Sequence, residues 1–295
     1  MTVWSGKGDK KMYENFVLRE TEKGKIAGYS WPVSNPEKVV CIVHGIGEYG
    51  GRFDRVASRF AEKNIATLAL DLRGHGDSMN PKGHCAPRKD VLEDVSELLL
   101  YAAKKYPDRD IVLYGHSMGG NIVLDYRARG DFNTMPAKYM ISAPWIRLVN
   151  PVKGITYVIA KAMSKIAPRA VISSSVDESI LGHPDSVRPY STNEMVHDRI
   201  SFLCAVEGFE TGNALEAGTN ENNGRARDIP TMVMHGTSDM ICDIEGTRKA
   251  VGHMKERGEN VQLIEWSGYY HEIHNGNAVT RGDDVIDRIT EFILE

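Results

Sequence analysis

The chain has 295 residues, 41% hydrophobic and 26% charged, which excludes a disordered or fibrous protein. With 36 Lys and Arg against 40 Asp and Glu the formal charge is −4, so the basic footprint of nucleic-acid binding is missing. The longest apolar runs, 39–43 and 65–70, are far too short to span a bilayer.

The opening MTVWSGKGDKK has no apolar core and no small-residue cleavage site, so nothing suggests export. Segments 14–20 and 25–31 flank a four-residue turn and read as an antiparallel hairpin, closed before Pro32 and Pro36. Short strands 39–43, 65–71, 111–114 and 137–142 follow, each near-continuously hydrophobic, as strands buried on both faces should be. Between them, 53–63, 91–105 and 118–129 carry helical spacing; Val91, Val95, Leu98, Leu99 and Ala102 fall on one stripe. The alternation resumes with strand 231–235, helix 245–256, strand 261–266 and a terminal helix near 284–294. Eight strands result, six of them joined by crossovers, which predicts a mostly parallel sheet with helices on both faces.

The rhythm breaks between 143 and 228, too long a span for a plain connection. Val152, Ile155, Ile159, Ala162, Met163 and Ile166 form an apolar helix face expected to pack inward, with Lys153, Lys161 and Lys165 opposite. That lysine face suits weak contact with anionic lipid. A second helix is expected at 194–207 and a flexible hinge at 218–227. The division is therefore a core of 1–142 and 229–295 with a helical cap at 143–228. Cys41, Cys85, Cys204 and Cys242 show no CxxC spacing and read as unpaired thiols in a reducing compartment, the cytoplasm.

The sharpest chemical signal is Gly115-His116-Ser117-Met118-Gly119-Gly120. G-x-S-x-G alone is weak, but here it directly follows a strand and opens a helix, as a nucleophile elbow requires. Glycines on either side of Ser117 let strand and helix approach, and the helix N-terminus favours developing negative charge. A second glycine-rich loop, His44-Gly45-Ile46-Gly47-Glu48, follows strand 39–43. In folds of this kind the amide after the nucleophile, Met118, pairs with one from such a loop to form an oxyanion hole; Ile46 is the candidate.

HGIGE, LDLRGHGDS (70–78), GHSMGG, HGTSDMICD (235–243) and YYHEIH (269–274) resemble, in that order, the monoacylglycerol lipase and lysophospholipase branch of the α/β-hydrolases. They are also similar to the serine aminopeptidase-like hydrolases. The resemblance covers nearly the whole chain and implies the α/β-hydrolase fold, with a cap after the sixth strand. It also implies chain order nucleophile, acid, histidine. After strand 231–235 the sequence offers Asp239 and Asp243; the family's HGxxD context selects Asp239 and leaves Asp243 to cap the next helix. After strand 261–266 it offers His271 and His274; the family's G-x-Y-H selects His271.

The resemblance implies Glu48 and Arg52 at the polar end of the substrate pocket, although an ordinary salt bridge explains them equally well. His116 and Tyr190 are candidates for facing the leaving alcohol, and Ile155 and Ile159 for lining an acyl-chain tunnel. His271 and His274 have no accompanying ligand set, so neither metal nor cofactor is expected. The expected activity is serine ester hydrolysis of a monoacylglycerol, lysophospholipid or similar small lipid substrate. Competing readings are an aminopeptidase, whose acidic subsite would come from Glu48, Glu194 or Glu207, a thioesterase or acyltransferase, and a silent hydrolase fold acting as scaffold.

Overall fold

The strands marked by unbroken hydrophobic runs lie at the centre of one sheet in the computed structural model, which describes residues 13–152, 154–174, 177–187 and 193–295. The strands are β1 (Glu14–Thr21), β2 (Gly24–Trp31), β3 (Lys38–Val43), β4 (Ile65–Leu70), β5 (Asp110–His116), β6 (Lys138–Ser142), a short pair β7 (Val171–Ser173) and β8 (Arg199–Ser201), β9 (Thr231–Gly236) and β10 (Val261–Trp266). The helices are α1 (Asp54–Ala61), α2 (Arg88–Lys105), α3 (Met118–Arg129), α4 (Gly154–Ile166), α5 (Phe202–Ala217), α6 (Ile244–Glu256) and α7 (Asp283–Leu294).

The eight-stranded sheet runs β1-β2-β4-β3-β5-β6-β9-β10. β1 pairs antiparallel with β2 and β2 antiparallel with β4, while the six strands from β4 to β10 are mutually parallel. Alternate residues of one strand enter opposite cores. Val39, Cys41 and Val43 pack toward α2 and α3, whereas Val40 and Ile42 pack toward α1 and α7. That two-sided burial is why these strands read as continuous apolar runs.

From β3 the chain leaves to one side for β4 and returns on the other for β5. The loops after β3 and β5 therefore meet at a topological switch point, where open α/β sheets place their ligands. The approach there is close. A Cβ on Gly119 would lie 2.0 Å from the Val43 carbonyl oxygen, and one on Gly115 would lie 2.4 Å from the Gly119 carbonyl oxygen.

The excursion between β6 and β9 departs from expectation in three places. The helix expected at 194–207 starts at Phe202, because 199–201 instead form β8, paired antiparallel with β7. Ser201 caps α5 by accepting the Cys204 amide, which sets its start.

On α4 most of the apolar stripe faces out, not in: Ile155 is 71% and Ile159 53% exposed, while Met163 is half-buried. The face turned inward carries Tyr157, Ala160 and the buried Ser164, small enough beyond the tyrosine for a close approach to α5. Lys161 on its edge pairs with Glu210 of α5 at 2.8 Å.

Residues 218–227 are tied down and do not form the expected hinge. The Asn223 amide donates to the Ala128 carbonyl, Arg225 to the Gly130 carbonyl, and the buried Arg127 to the Ala226 carbonyl. Among the described residues, no helix is long and apolar enough to cross a membrane.

Gly119→Ala should cost about 3 kcal/mol, because overpacking against a backbone carbonyl cannot be relieved by a side-chain rotation. Urea unfolding measures this; a wild-type midpoint would contradict the close packing of α3 on β3.

Candidate active site

Ser117 stands between the last residue of β5 and the first of α3 with φ 55° and ψ −117°. This is a strained backbone for a residue with a Cβ, at a cost of order 1–3 kcal/mol. Three backbone hydrogen bonds hold it there. The Ser117 amide donates to the Ser142 carbonyl, while the Asn121 and Trp145 amides donate to the Ser117 carbonyl, each at 3.0 Å. The strain aims the hydroxyl out of the turn toward His271, whose Nε2 lies 2.9 Å from Oγ.

His271 follows β10, and its Nδ1 donates to Asp239 Oδ2 at 2.7 Å. Asp239 follows β9; its other oxygen accepts the amides of Ile241 and Cys242 at 2.8 and 2.9 Å. Ser117, His271 and Asp239 are all buried, so the hydrogen-bonded line runs through a water-poor interior. Asp243, four residues on, points elsewhere. It caps α6 by accepting the Glu245 amide and binds Arg147 at 2.7 Å.

The loop after β3 closes on the serine. A Cβ on Gly45 would lie 3.1 Å from that of Ser117. The Gly45 amide is turned away to donate to Glu48 Oε1 at 2.6 Å, leaving Ile46 on the serine's side. Together Ile46, Glu48, His116, Ser117, Ile241 and Glu272 line a cavity of about 20 Å³, roofed by Leu181 from the excursion. Met118 opens α3 directly behind the serine.

A model of the serine aminopeptidase S33 family matches residues 34–277. The chain belongs to that family. Its fold is that of the α/β-hydrolases, and its chemistry is that of a serine hydrolase. It is 30% identical over 266 residues to a monoacylglycerol lipase of Mycolicibacterium smegmatis, covering 89% of this chain and 90% of that one. It is 25% identical over 251 residues to the human monoglyceride lipase, covering 83% and 79%. A soluble variant of the Saccharomyces cerevisiae monoglyceride lipase, solved with a substrate analogue, superposes with a TM-score of 0.78 at 24% identity, covering 96% and 94%.

In this S33 member the structure brings Glu48 and His116 to the serine's cavity, with Arg52 behind Glu48 and not in its lining. Arg52 bridges Glu48 at 3.0 Å and Glu272 at 3.1 Å, with all three side chains buried. Sequence reasoning missed Glu272 and Asn275, which donates to it at 2.6 Å. The available signal was an acid directly after the histidine in YYHEIH. One guanidinium cannot neutralise two carboxylates. Burial pushes Glu48 up to about 7, whereas Glu272, despite its burial, is held below the usual range by Arg52.

The histidines divide by their neighbours. Burial pulls His271 down, but Asp239, with Glu272 and Glu48 behind it, raises it overall above its ordinary value. Burial without such a partner drops His116 well below that value and His274 to about 4. His116 accepts or donates at Ser142 Oγ, 2.9 Å away, and its ring stands 5.0 Å from that of His271. His274 is buried within a single helical turn and stacks on Phe53. Ile155 and Ile159 do not reach the cavity, because the stripe they belong to faces solvent; Tyr190 lies outside the described residues.

Asp239, Cys242 and His271 bring ligand atoms within 4.8 Å of one another, yet every Asp239 contact described above is to an N–H donor.

A neutral histidine buried at His274 must be protonated in the unfolded chain below about pH 6.5 but not in the folded one until about 4. Its contribution to stability is therefore present above pH 6.5 and is lost as pH falls toward 4. Relative to His274→Gln, the wild type should lose stability between pH 7.5 and 5 in chemical denaturation. A pH-independent difference would contradict the buried neutral ring.

Proposed function

We propose that the chain hydrolyses single-chain carboxylic esters, monoacylglycerols or lysophospholipids, through an acyl-enzyme on Ser117. The observation that carries this is the line Ser117–His271–Asp239, at 2.9 and 2.7 Å, opening on the small cavity at the switch point. His271 Nε2 takes the Ser117 proton as Oγ adds to the acyl carbonyl carbon. The amides of Met118 and Ile46 receive the oxyanion. As the tetrahedral adduct collapses, the C–O bond to the alcohol breaks and the imidazolium gives its proton to the leaving oxygen. Water then repeats the sequence on the acyl-serine and frees the fatty acid and Ser117. Asp239 fixes the tautomer and supports the imidazolium throughout.

The leaving alcohol belongs on the side of Glu48 and His116, with Arg52 behind Glu48, where carboxylate and imidazole offer hydrogen-bond partners to a small polyol's hydroxyls. For the acyl chain the 20 Å³ cavity is far too small as it stands. A cleft of about 500 Å³ lies beyond the segment where Leu148 pairs with Cys242, lined by Leu148, Val149, Val152, Tyr157 and Phe209. Ile241, on that same segment, lines the serine's cavity, so a shift there lets a chain pass from one to the other. Each methylene buried along the way is worth about 0.8 kcal/mol. In this reading 143–228 acts as a cap, and the outward stripe of Ile155, Val158, Ile159 and Ile166 rests weakly on lipid where substrate resides. The four buried, free thiols suit a reducing compartment such as the cytoplasm.

A second reading, hydrolysis of an aminoacyl bond, is favoured by one observation: two carboxylates, Glu48 and Glu272, face the serine's cavity and would attract an ammonium group. Arg52 already lies between them, which ranks this reading second.

Rates over para-nitrophenyl esters of rising chain length, beside a monoacylglycerol and aminoacyl amides, test both. Ester turnover that rises with chain length and falls at least about 10³-fold in Ser117→Ala is expected. Val152→Trp, by filling the cleft, should raise KM for dodecanoate more than for butyrate. Turnover confined to aminoacyl amides, or to acetate esters, would contradict the ester reading. Ile155→Ser with Ile159→Ser should weaken sedimentation with anionic lipid vesicles while leaving KM for soluble esters unchanged. Unchanged vesicle binding would contradict the lipid-facing stripe.

A further inference from the structure

The carboxylate of Asp239 has a neighbour that the nucleophile, base and acid do not account for. His235, the fifth residue of β9, is completely buried, and its Nε2 lies 3.1 Å from Asp239 Oδ2, the same oxygen that accepts from His271. Nε2 also lies 3.0 Å from the Cys242 carbonyl oxygen. Both neighbours are acceptors, so Nε2 must carry a hydrogen and share it between them. The other ring nitrogen, Nδ1, is satisfied 2.9 Å away by the Thr247 hydroxyl of α6. The ring is thus held from both ends, with its tautomer set by donor and acceptor accounting alone.

Asp239 Oδ1 accepts from Ile241 and Cys242, Oδ2 accepts from His271, and His235 Nε2 lies 3.1 Å from that same Oδ2. Four N–H groups from three segments thus surround the four acceptor positions of one carboxylate. Of these, only the His235 donor both competes with His271 for an oxygen and is anchored outside the loop that Asp239 belongs to.

We infer that His235 is a positioning residue for the ester hydrolysis: its Nε2–H fixes the Asp239 carboxylate in the plane of the His271 ring and draws charge from Oδ2, tempering the support that Asp239 gives to imidazolium. The inference rests on the assignment of Ser117, His271 and Asp239 as the reacting groups. Its consequence has a direction. Without the His235 bond, Oδ2 keeps more charge for His271, the imidazolium is favoured, and the base becomes available only at higher pH. The other titratable groups facing His271 are Glu48, Glu272, His116, His274 and the Cys242 thiol; none of these side chains contacts His235 through a described hydrogen bond, and Cys242 meets it only through its carbonyl.

Two substitutions separate the two ends of the ring. Gln places an amide nitrogen where Nε2 stands and can still donate to Asp239, whereas Asn reaches only the Nδ1 position near Thr247. The measurement is kcat/KM against pH for a soluble ester, from pH 5 to 9, with urea midpoints as a check on folding. His235→Asn should lower kcat/KM about ten- to a hundredfold, the scale of a misplaced catalytic group. It should also raise the apparent pKa of the acid limb by about half a unit to one unit, the scale of one lost hydrogen bond. His235→Gln should stay within about threefold of wild type, with the limb unmoved. Thr247→Val, which keeps Nε2 but frees the ring to turn, should shift the same limb the same way by less.

Equal losses in the Asn and Gln variants with an unmoved limb would show a merely structural histidine and overturn the inference. An acid limb that stays put in both His235→Asn and Thr247→Val would overturn it as well. A Ser117→Ala control that keeps turnover would instead refute the assignment of the reacting groups, and the role of His235 with it.

Discussion

A methyl group at Gly119 would sit 2.0 Å from the Val43 carbonyl, and this closeness of α3 to the end of β3 constrains the centre of the molecule. Because the helix can come no nearer, the single residue joining it to β5 has to turn abruptly. Ser117 absorbs that turn in a left-handed backbone conformation. Three hydrogen bonds, to the last residue of β6, to Trp145 beyond it and to Asn121 in α3, keep the strain in place. The same closeness brings the loop after β3 against the serine, with the Gly45 Cβ position 3.1 Å from that of Ser117. Strain of a few kcal/mol is tolerable here because the surrounding sheet is buried on both faces and over-determines the turn.

Around this turn the interior is organised by charge as well as by packing. His116, His274 and His44 are buried without a full counter-charge and are held neutral, while His271, beside Asp239 and with Glu272 and Glu48 near it, is raised. Titratable groups driven in opposite directions within one cavity are a pattern that functional sites favour. Arg52 and its two carboxylates form the other pole of the cavity, where burial and incomplete neutralisation leave Glu48 near neutrality. The cavity is therefore polar on one side and bordered on the other by Ile46, Leu181 and Ile241, an asymmetry that suits a substrate with one small polar end.

Much of this was legible in the sequence, for physical reasons that also explain the failures. Strands such as Val39–Val43 and helix α2 announce themselves because burial on two faces or one stripe leaves a repeating pattern. The elbow is visible because only glycine tolerates the contacts at 115 and 119. The stripe on α4 was read with the right residues and the wrong direction: periodicity shows that Ile155, Ile159 and Ile166 share a face, but not what that face meets. The described contacts with α5 run instead through Tyr157 against Phe209 and Lys161 against Glu210, outside the apolar stripe. β7 and β8, three residues each, are too short for alternation to appear, so Arg199–Ser201 reads as part of the helix expected at 194–207. Polar contacts across long sequence distances were the least legible. Glu272 with Arg52, 220 residues apart, exists only once the loops after β3 and β10 converge.

The central claim is that Ser117 alone is made nucleophilic by this arrangement. Labelling the folded protein with a fluorophosphonate and mapping the adduct by mass spectrometry tests that directly. A single stoichiometric adduct on the peptide containing Ser117, forming more slowly as pH falls through the titration of His271, is the predicted result. An adduct on another residue, or none while ester turnover persists, would contradict it.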